Sequence, residues 1–222
     1  MKKTLSLMLI LILILTGCGS APIDPSPSIT PESAPETFDS PESVKEFLIS
    51  ENASYVENDI NDGNVSQDLR TDTAVNGQTP YAVVVTCSDS RVPAEHVFHA
   101  GLGELFVIRT AGNVIGDYEL GSVEYGADHL HTKLVVVLGH THCGAVGATL
   151  EGGAHGYIET ITNEIASCLP EGVTAEDAEI LNVQNSIAKI RESHIMQELE
   201  ESGAVQIVGA IYDIETGLVE FL

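Results

Sequence analysis

The chain has 222 residues and a formal net charge of −24, with 33 acidic residues against 9 lysines and arginines. Such a polyanion repels phosphate backbones and anionic headgroups, which excludes nucleic acid and a charged membrane surface as partners. Hydrophobic residues make up 43% of it, enough for one domain with a real core.

Lys2 and Lys3 precede an apolar run, Leu5 to Leu15, that is too short to span a bilayer but suits the core of a secretory signal. It ends Leu15-Thr16-Gly17-Cys18, which resembles the bacterial lipobox. Residues 1–18 are therefore expected to be a lipoprotein signal peptide, with Cys18 lipidated as the new N-terminus. The protein is then exported and lipid-anchored to the outer face of the cell membrane or held in the cell envelope or periplasm. It touches the membrane through that N-terminal lipid only. An ordinary signal peptide with an incidental Cys18 is the alternative. Residues 19–40 are rich in Pro, Ser, Thr and acid and read as a disordered tether. Residues 41–222 form the folded domain.

Ser40-Pro41-Glu42 starts a helix, with Ser as cap and Pro in the first turn. Val44, Phe47 and Leu48 share one face of it. The helix reaches Tyr55 and Val56 before Asn61-Asp62-Gly63-Asn64 breaks it. Four apolar runs then read as strands: Tyr81–Thr86, Leu105–Ile108, Leu134–Leu138 and Val205–Tyr212. They are nearly continuous rather than alternating, as in strands covered on both faces. Helical segments separate them, at Asp117–Leu130, Gly144–Leu150 and Ala175–Arg191. The last carries Thr174 and Asp177 as a capping box, and Ile180, Val183, Ile187 and Ile190 as its seam. Strand and helix alternating in this way predict an α/β fold with a mostly parallel central sheet flanked by helices.

Two motifs stand at strand ends, where such sheets gather ligands. Cys87-Ser88-Asp89-Ser90-Arg91-Val92 follows the first strand and His140-Thr141-His142-Cys143-Gly144 the third. Cys87, His140 and Cys143 offer two thiolates and an imidazole, a zinc set with one position open for water. Zinc brings the pKa of that water to about 7. His140 and Cys143 are spaced for a turn to put both on one metal, while His142 points away. Asp89 and Arg91 lie on the same side of an extended turn as Cys87. Asp89 can orient a metal-bound hydroxide or bind the metal itself, and Arg91 holds it off. A Cys87–Cys143 disulfide is the weaker alternative for an exported protein. Cys168 is a spare thiol. His96, His99, His129, His131, His155 and His194 have no ligand spacing.

Cys87-Ser88-Asp89-Ser90-Arg91-Val92-Pro93, Glu104-Leu105-Phe106-Val107-Ile108-Arg109, His140-x-x-Cys143-Gly144-Ala145 and Ile207-Val208-Gly209-Ala210-Ile211-Tyr212-Asp213 together resemble the β-class carbonic anhydrases. The resemblance runs from about Pro41 to the C-terminus. It implies reversible hydration of CO2 to bicarbonate and a proton by zinc-bound hydroxide, with one Zn2+ per chain. By resemblance Cys87, His140 and Cys143 hold the metal and Asp89 with Arg91 is the catalytic dyad, Asp89 being a conditional fourth ligand. It also implies a homodimer or higher even-numbered homo-oligomer, with sites near subunit boundaries and an N-terminal helix embracing the partner. Further positions are similar to the plant-like subgroup. Gln78 in Gly77-Gln78-Thr79-Pro80 matches a Gln that donates to bicarbonate, and Phe106 and Tyr125 match aromatics around CO2. Gly144 opens a helix whose first amides could favour an anion. The chain departs from the pattern in having no Trp, in Thr110 after Arg109, and in Glu51-Asn52-Ala53-Ser54-Tyr55 where the family has Gly-Asn-x-Arg-Phe. Two rival readings are a COS or CS2 hydrolase on the same fold and an inactive zinc- or bicarbonate-binding surface protein.

Overall fold

A computed structural model describes residues 37–222. The apolar leader, Cys18 and the tether up to residue 36 lie outside the described residues. Phe38, inside the span assigned to the tether, packs on Phe47 and Tyr81 with ring centroids 5.3 and 5.4 Å away.

Helix α1 (Pro41–Asn58) opens as its sequence dictates. The Ser40 hydroxyl accepts the Ser43 N–H and the Ser43 hydroxyl accepts the Ser40 N–H. Asp59, at φ +56°, ends it. Val44 and Leu48 are fully buried, and Asn52 one turn on is buried with them. The Asn52 amide donates to the Val97 and Gly217 carbonyls at 3.0 and 2.9 Å and accepts the Val219 N–H at 2.9 Å. This face of the helix docks on its own chain, where its apolar stripe and its buried amide find their partners. Helix α2 (Gln67–Asn76) was not anticipated. It buries no residue and so has no apolar period to betray it.

Strands β1 (Ala82–Cys87), β2 (Leu105–Thr110), β3 (Leu134–His140) and β4 (Gln206–Tyr212) are parallel. Their spatial order is β2-β1-β3-β4, and a short antiparallel edge strand β5 (Val219–Phe221), too short to read from sequence, follows β4. Every residue of β1 and β3 is buried, which explains their unbroken apolar runs. Cys87 and His140 are not beyond these strands but are their last residues.

The short helix α3 (Ala94–Val97) follows β1. The helix expected over Asp117–Leu130 is α4 (Asp117–Glu124) followed by one wider π-helical turn, Tyr125–His129. After β3 come α5 (Gly144–Glu151), α6 (Ile158–Ala166), α7 (Ala175–Ile190) and α8 (His194–Glu201). α6 and α8 were not anticipated. Thr174 caps α7 by accepting the Asp177 N–H, but the Asp177 carboxylate accepts from the Thr174 hydroxyl rather than from its N–H, so the capping box is half made. Val183 and Ile190 are fully buried, as the seam predicts. Ile180 is not. Glu179, Asn182 and Ser186 are buried instead, so one edge of α7 is polar. Gly139 lets α7 approach β3, since a Cβ there would meet Val183 Cγ2 at 2.5 Å. Among the described residues no helix is long and apolar enough to cross a membrane.

Candidate metal centre

β1 and β3 are neighbours in register, with Thr86 opposite Leu138, and their carboxyl ends bring Cys87 beside His140. Cys143 returns to the same point at the cap of α5. The two sulfurs and a ring nitrogen lie within 4.8 Å of one another, in residues only 5%, 5% and 1% exposed. All three described cysteines are free, which sets aside the disulfide alternative.

The imidazole tests whether zinc fits. His140 Nδ1 lies 2.9 Å from the Thr141 carbonyl, which can only accept, so Nδ1 carries the proton. Nε2 is then a bare lone pair, buried and without a hydrogen-bond partner, among the two sulfurs. A buried orphan of this kind is costly unless a cation takes it, and a carbonyl-anchored imidazole is how metal histidines are held.

Amides supply the rest of the sulfur environment. Gly112 N–H donates to Cys87 Sγ at 3.2 Å. The first amides of α5, from Ala145 and Val146, lie near the Cys143 sulfur and favour its thiolate. The N-terminus of the helix that Gly144 opens thus stands beside Cys143, its N-cap residue, where the helix dipole favours a thiolate. The neighbouring Cys143 thiol holds Cys87 below the usual thiol range, and the same contact pushes Cys143 up. A divalent cation held by Cys87, His140 and Cys143 would favour both cysteines as thiolates.

Asp89 and Arg91 form the expected pair. Arg91 Nε and Nη2 donate to Asp89 Oδ1 and Oδ2 at 3.0 and 2.8 Å, and the Arg91 amide also reaches Oδ1. The Arg91 side chain holds the Asp89 carboxyl down to about 2. Asp89 Oδ2 is 4.0 Å from His140 Nε2, facing the centre but outside the three-donor group. Arg91 Nη2 also donates to the His142 carbonyl, while the His142 ring is exposed and away from the donors, as its spacing predicts.

Four positions without an assigned role shape the centre. Arg109 Nε and Nη2 donate to the carbonyls of Cys87 and Asp89 at 3.1 and 2.7 Å. Glu179 Oε1 accepts the Cys143 N–H at 2.9 Å. Asn182 and Ser186 bond the Gly112 and Asn113 carbonyls. The only prior signal for Arg109 was its place in a family motif; the other three looked like helix filler.

Gln78, Phe106 and Tyr125 are not brought to the metal. Phe106 pairs with Val83, and the strand from Val83 to Cys87 separates those levels by about 13 Å. Tyr125 packs on Phe106 with centroids 5.9 Å apart. Gln78 is exposed in the loop before β1. All three sit at the amino end of the sheet, opposite the ligands, so within one chain they cannot share a pocket with them.

Comparison with known proteins gives this geometry a family. The carbonic anhydrase family matches residues 82–219. The carbonic anhydrase of Mycolicibacterium smegmatis is 41% identical over 155 residues, covering 64% of this chain and 75% of that one. Carbonic anhydrase 2 of Mycobacterium tuberculosis is 39% identical, over 64% and 73%. The solved Coccomyxa β-carbonic anhydrase in complex with acetazolamide superposes with a TM-score of 0.61 at 26% identity, covering 82% of this chain and 83% of that one. The chain belongs to the carbonic anhydrase family, in its β class.

Proposed function

We propose that this protein interconverts CO2 and bicarbonate. The observation that carries the reading is the buried Cys87–His140–Cys143 triad with an ionised, arginine-clamped Asp89 beside it. Zinc held by the triad supplies a Lewis acid that makes water acidic enough to give hydroxide near neutral pH. Asp89 accepts a hydrogen bond from the attacking oxygen and fixes its direction toward the carbon of CO2. Arg91 keeps the carboxylate in that place and away from the ligand position, and Arg109 holds the loop that carries both. Two thiolates donate strongly, so a basic optimum is expected.

Gln78, Phe106 and Tyr125 serve the reaction from a neighbouring subunit in this proposal. Their distance from the metal of their own chain and the exposure of Gln78 and Tyr125 support that arrangement. It requires a homodimer or an even-numbered assembly of the plant-like kind. The proposal extends to export on a lipid anchor at Cys18, outside the cytoplasmic membrane, a reading supported by the Leu15-Thr16-Gly17-Cys18 stretch that ends the apolar leader.

Stopped-flow CO2 hydration by the chain from Gly19, with zinc measured on the same sample, tests the reading. Fast hydration with about one zinc per chain is expected. Full zinc without hydration from neutral to alkaline pH overturns it and directs the assay to COS and CS2. Retention of a Cys18→Ser protein in the membrane fraction overturns the anchor.

A further inference from the structure

The geometry points to α7 as the element that sets both cysteine ligands: Glu179 is the positioning residue for Cys143, and Asn182 with Ser186 position the turn that donates to Cys87. The inference rests on the zinc reading above.

Residues 179, 182 and 186 fall on one face of a helix. On a helix packed against a sheet that face is ordinarily apolar. Here it carries a carboxyl, an amide and a hydroxyl that are 6%, 1% and 2% exposed. Burying such groups is costly, and each is engaged with backbone at the metal centre, Glu179 with a ligand and Asn182 and Ser186 with the turn that donates to Cys87. Glu179 takes the Cys143 N–H, and the Cys143 carbonyl takes the Gly147 N–H at 2.9 Å. The ligand is thereby fixed on both sides of its Cα. It follows His142, which sits at φ +57°, so this short return from β3 is held against its local preference.

The second arm reaches the other sulfur. Gly112 and Asn113 are consecutive left-handed residues at φ +69° and +47°. A Cβ on Gly112 would meet Ala145 Cβ and Ile165 Cδ1 at 2.9 Å, so glycine is required there by space as well as by conformation. Asn182 Nδ2 donates to the Gly112 carbonyl at 2.7 Å and Ser186 Oγ donates to the Asn113 carbonyl at 2.8 Å. Held in this way, the turn aims the Gly112 N–H at Cys87 Sγ. An amide bonded to a thiolate draws electron density from it and so tunes the metal. One helix thus fixes where one sulfur sits and how strongly the other donates.

Glu179→Leu, Glu179→Gln and Ser186→Ala in the otherwise intact chain test this, read by the rate of zinc release to a chromophoric chelator and by the thiolate-to-metal absorption band of the Co2+-loaded protein. Glu179→Leu should release zinc on the order of 10–100-fold faster. Glu179→Gln keeps an acceptor for the Cys143 amide and should stay near the parent. Ser186→Ala should shift the cobalt band with a smaller change in release. Glu179→Gln losing zinc as fast as Glu179→Leu overturns the assignment at Cys143. Should Glu179→Leu not fold, the decision falls on Ser186→Ala, whose unchanged band and release rate overturn the proposal as a whole. A parent chain that binds no zinc refutes the metal reading instead, a result distinct from variants indistinguishable from a zinc-loaded parent.

Discussion

The two ends of the sheet are built differently. At the carboxyl end the ligand loops are tied down within one chain: Arg109 holds Cys87 and Asp89, Arg91 holds Asp89 and His142, and Glu179 holds Cys143. At the amino end α2 buries nothing, Gln78 is exposed, and Tyr125 covers Phe106 while remaining 46% exposed. One end is tied down within the chain and the other leaves Gln78 and Tyr125 exposed. Under the proposed function, metal holding is settled in the single chain and substrate holding in the assembly.

The comparison can be broken by single substitutions. His140→Ala or Cys143→Ser should abolish hydration and lower zinc content together, by about 100-fold or more in activity, since a ligand rather than a supporting group is lost. Parallel metal analysis and stopped-flow kinetics check this. Asp89→Ala should cost about 100-fold in kcat while zinc stays bound; equal loss of metal would remove the orienting role. Gln78→Ala and Tyr125→Ala should each cost about 10-fold, with zinc release unchanged. Chains carrying Gln78→Ala mixed with chains carrying Asp89→Ala should recover activity after exchange of subunits, because a hybrid dimer has one undamaged site. No recovery in confirmed hybrids would remove Gln78 from the neighbouring subunit's site and defeat the comparison.

The smallest effect concerns pH. Asp89, held at about 2 by Arg91, is an anion throughout the working range and should contribute no ionisation to the rate profile. Activity should rise with pH through a single transition on the neutral-to-alkaline side. Asp89→Asn should lower the plateau without moving that transition; a shift in the midpoint would mean that Asp89 itself titrates there.

Parts of this molecule were legible from local pattern. β1 and β3 are covered on both faces, so their valine runs announce strands, and Cys87 and His140 are readable because they end those runs. Ser40 announces α1 because its cap is local chemistry. What escaped depends on contacts between segments far apart in the chain. β5 pairs with β4 over three residues, and α2 has no buried face. Glu179 and Asn182 face backbone groups far away in sequence, which no spacing rule reveals. Phe106 and Tyr125 were placed at the substrate by resemblance, but strand register decides which end of the sheet they occupy, and it puts them opposite the metal.

Arg91 and Arg109 commit their hydrogen bonds to the Cys87–Asp89 loop and the adjoining His142 carbonyl, on a molecule whose formal charge is −24. The traffic through the site is therefore asymmetric. CO2 is uncharged and diffuses in without sensing the protein's potential, whereas bicarbonate entering for the reverse reaction climbs a repulsive field. Added salt shortens that field to roughly 8 Å at physiological strength. Raising ionic strength with an inert salt should accordingly speed dehydration at limiting bicarbonate, and hydration at limiting CO2 by the same factor because the bulk equilibrium ties the two directions, a salt response set by the surface rather than by the metal.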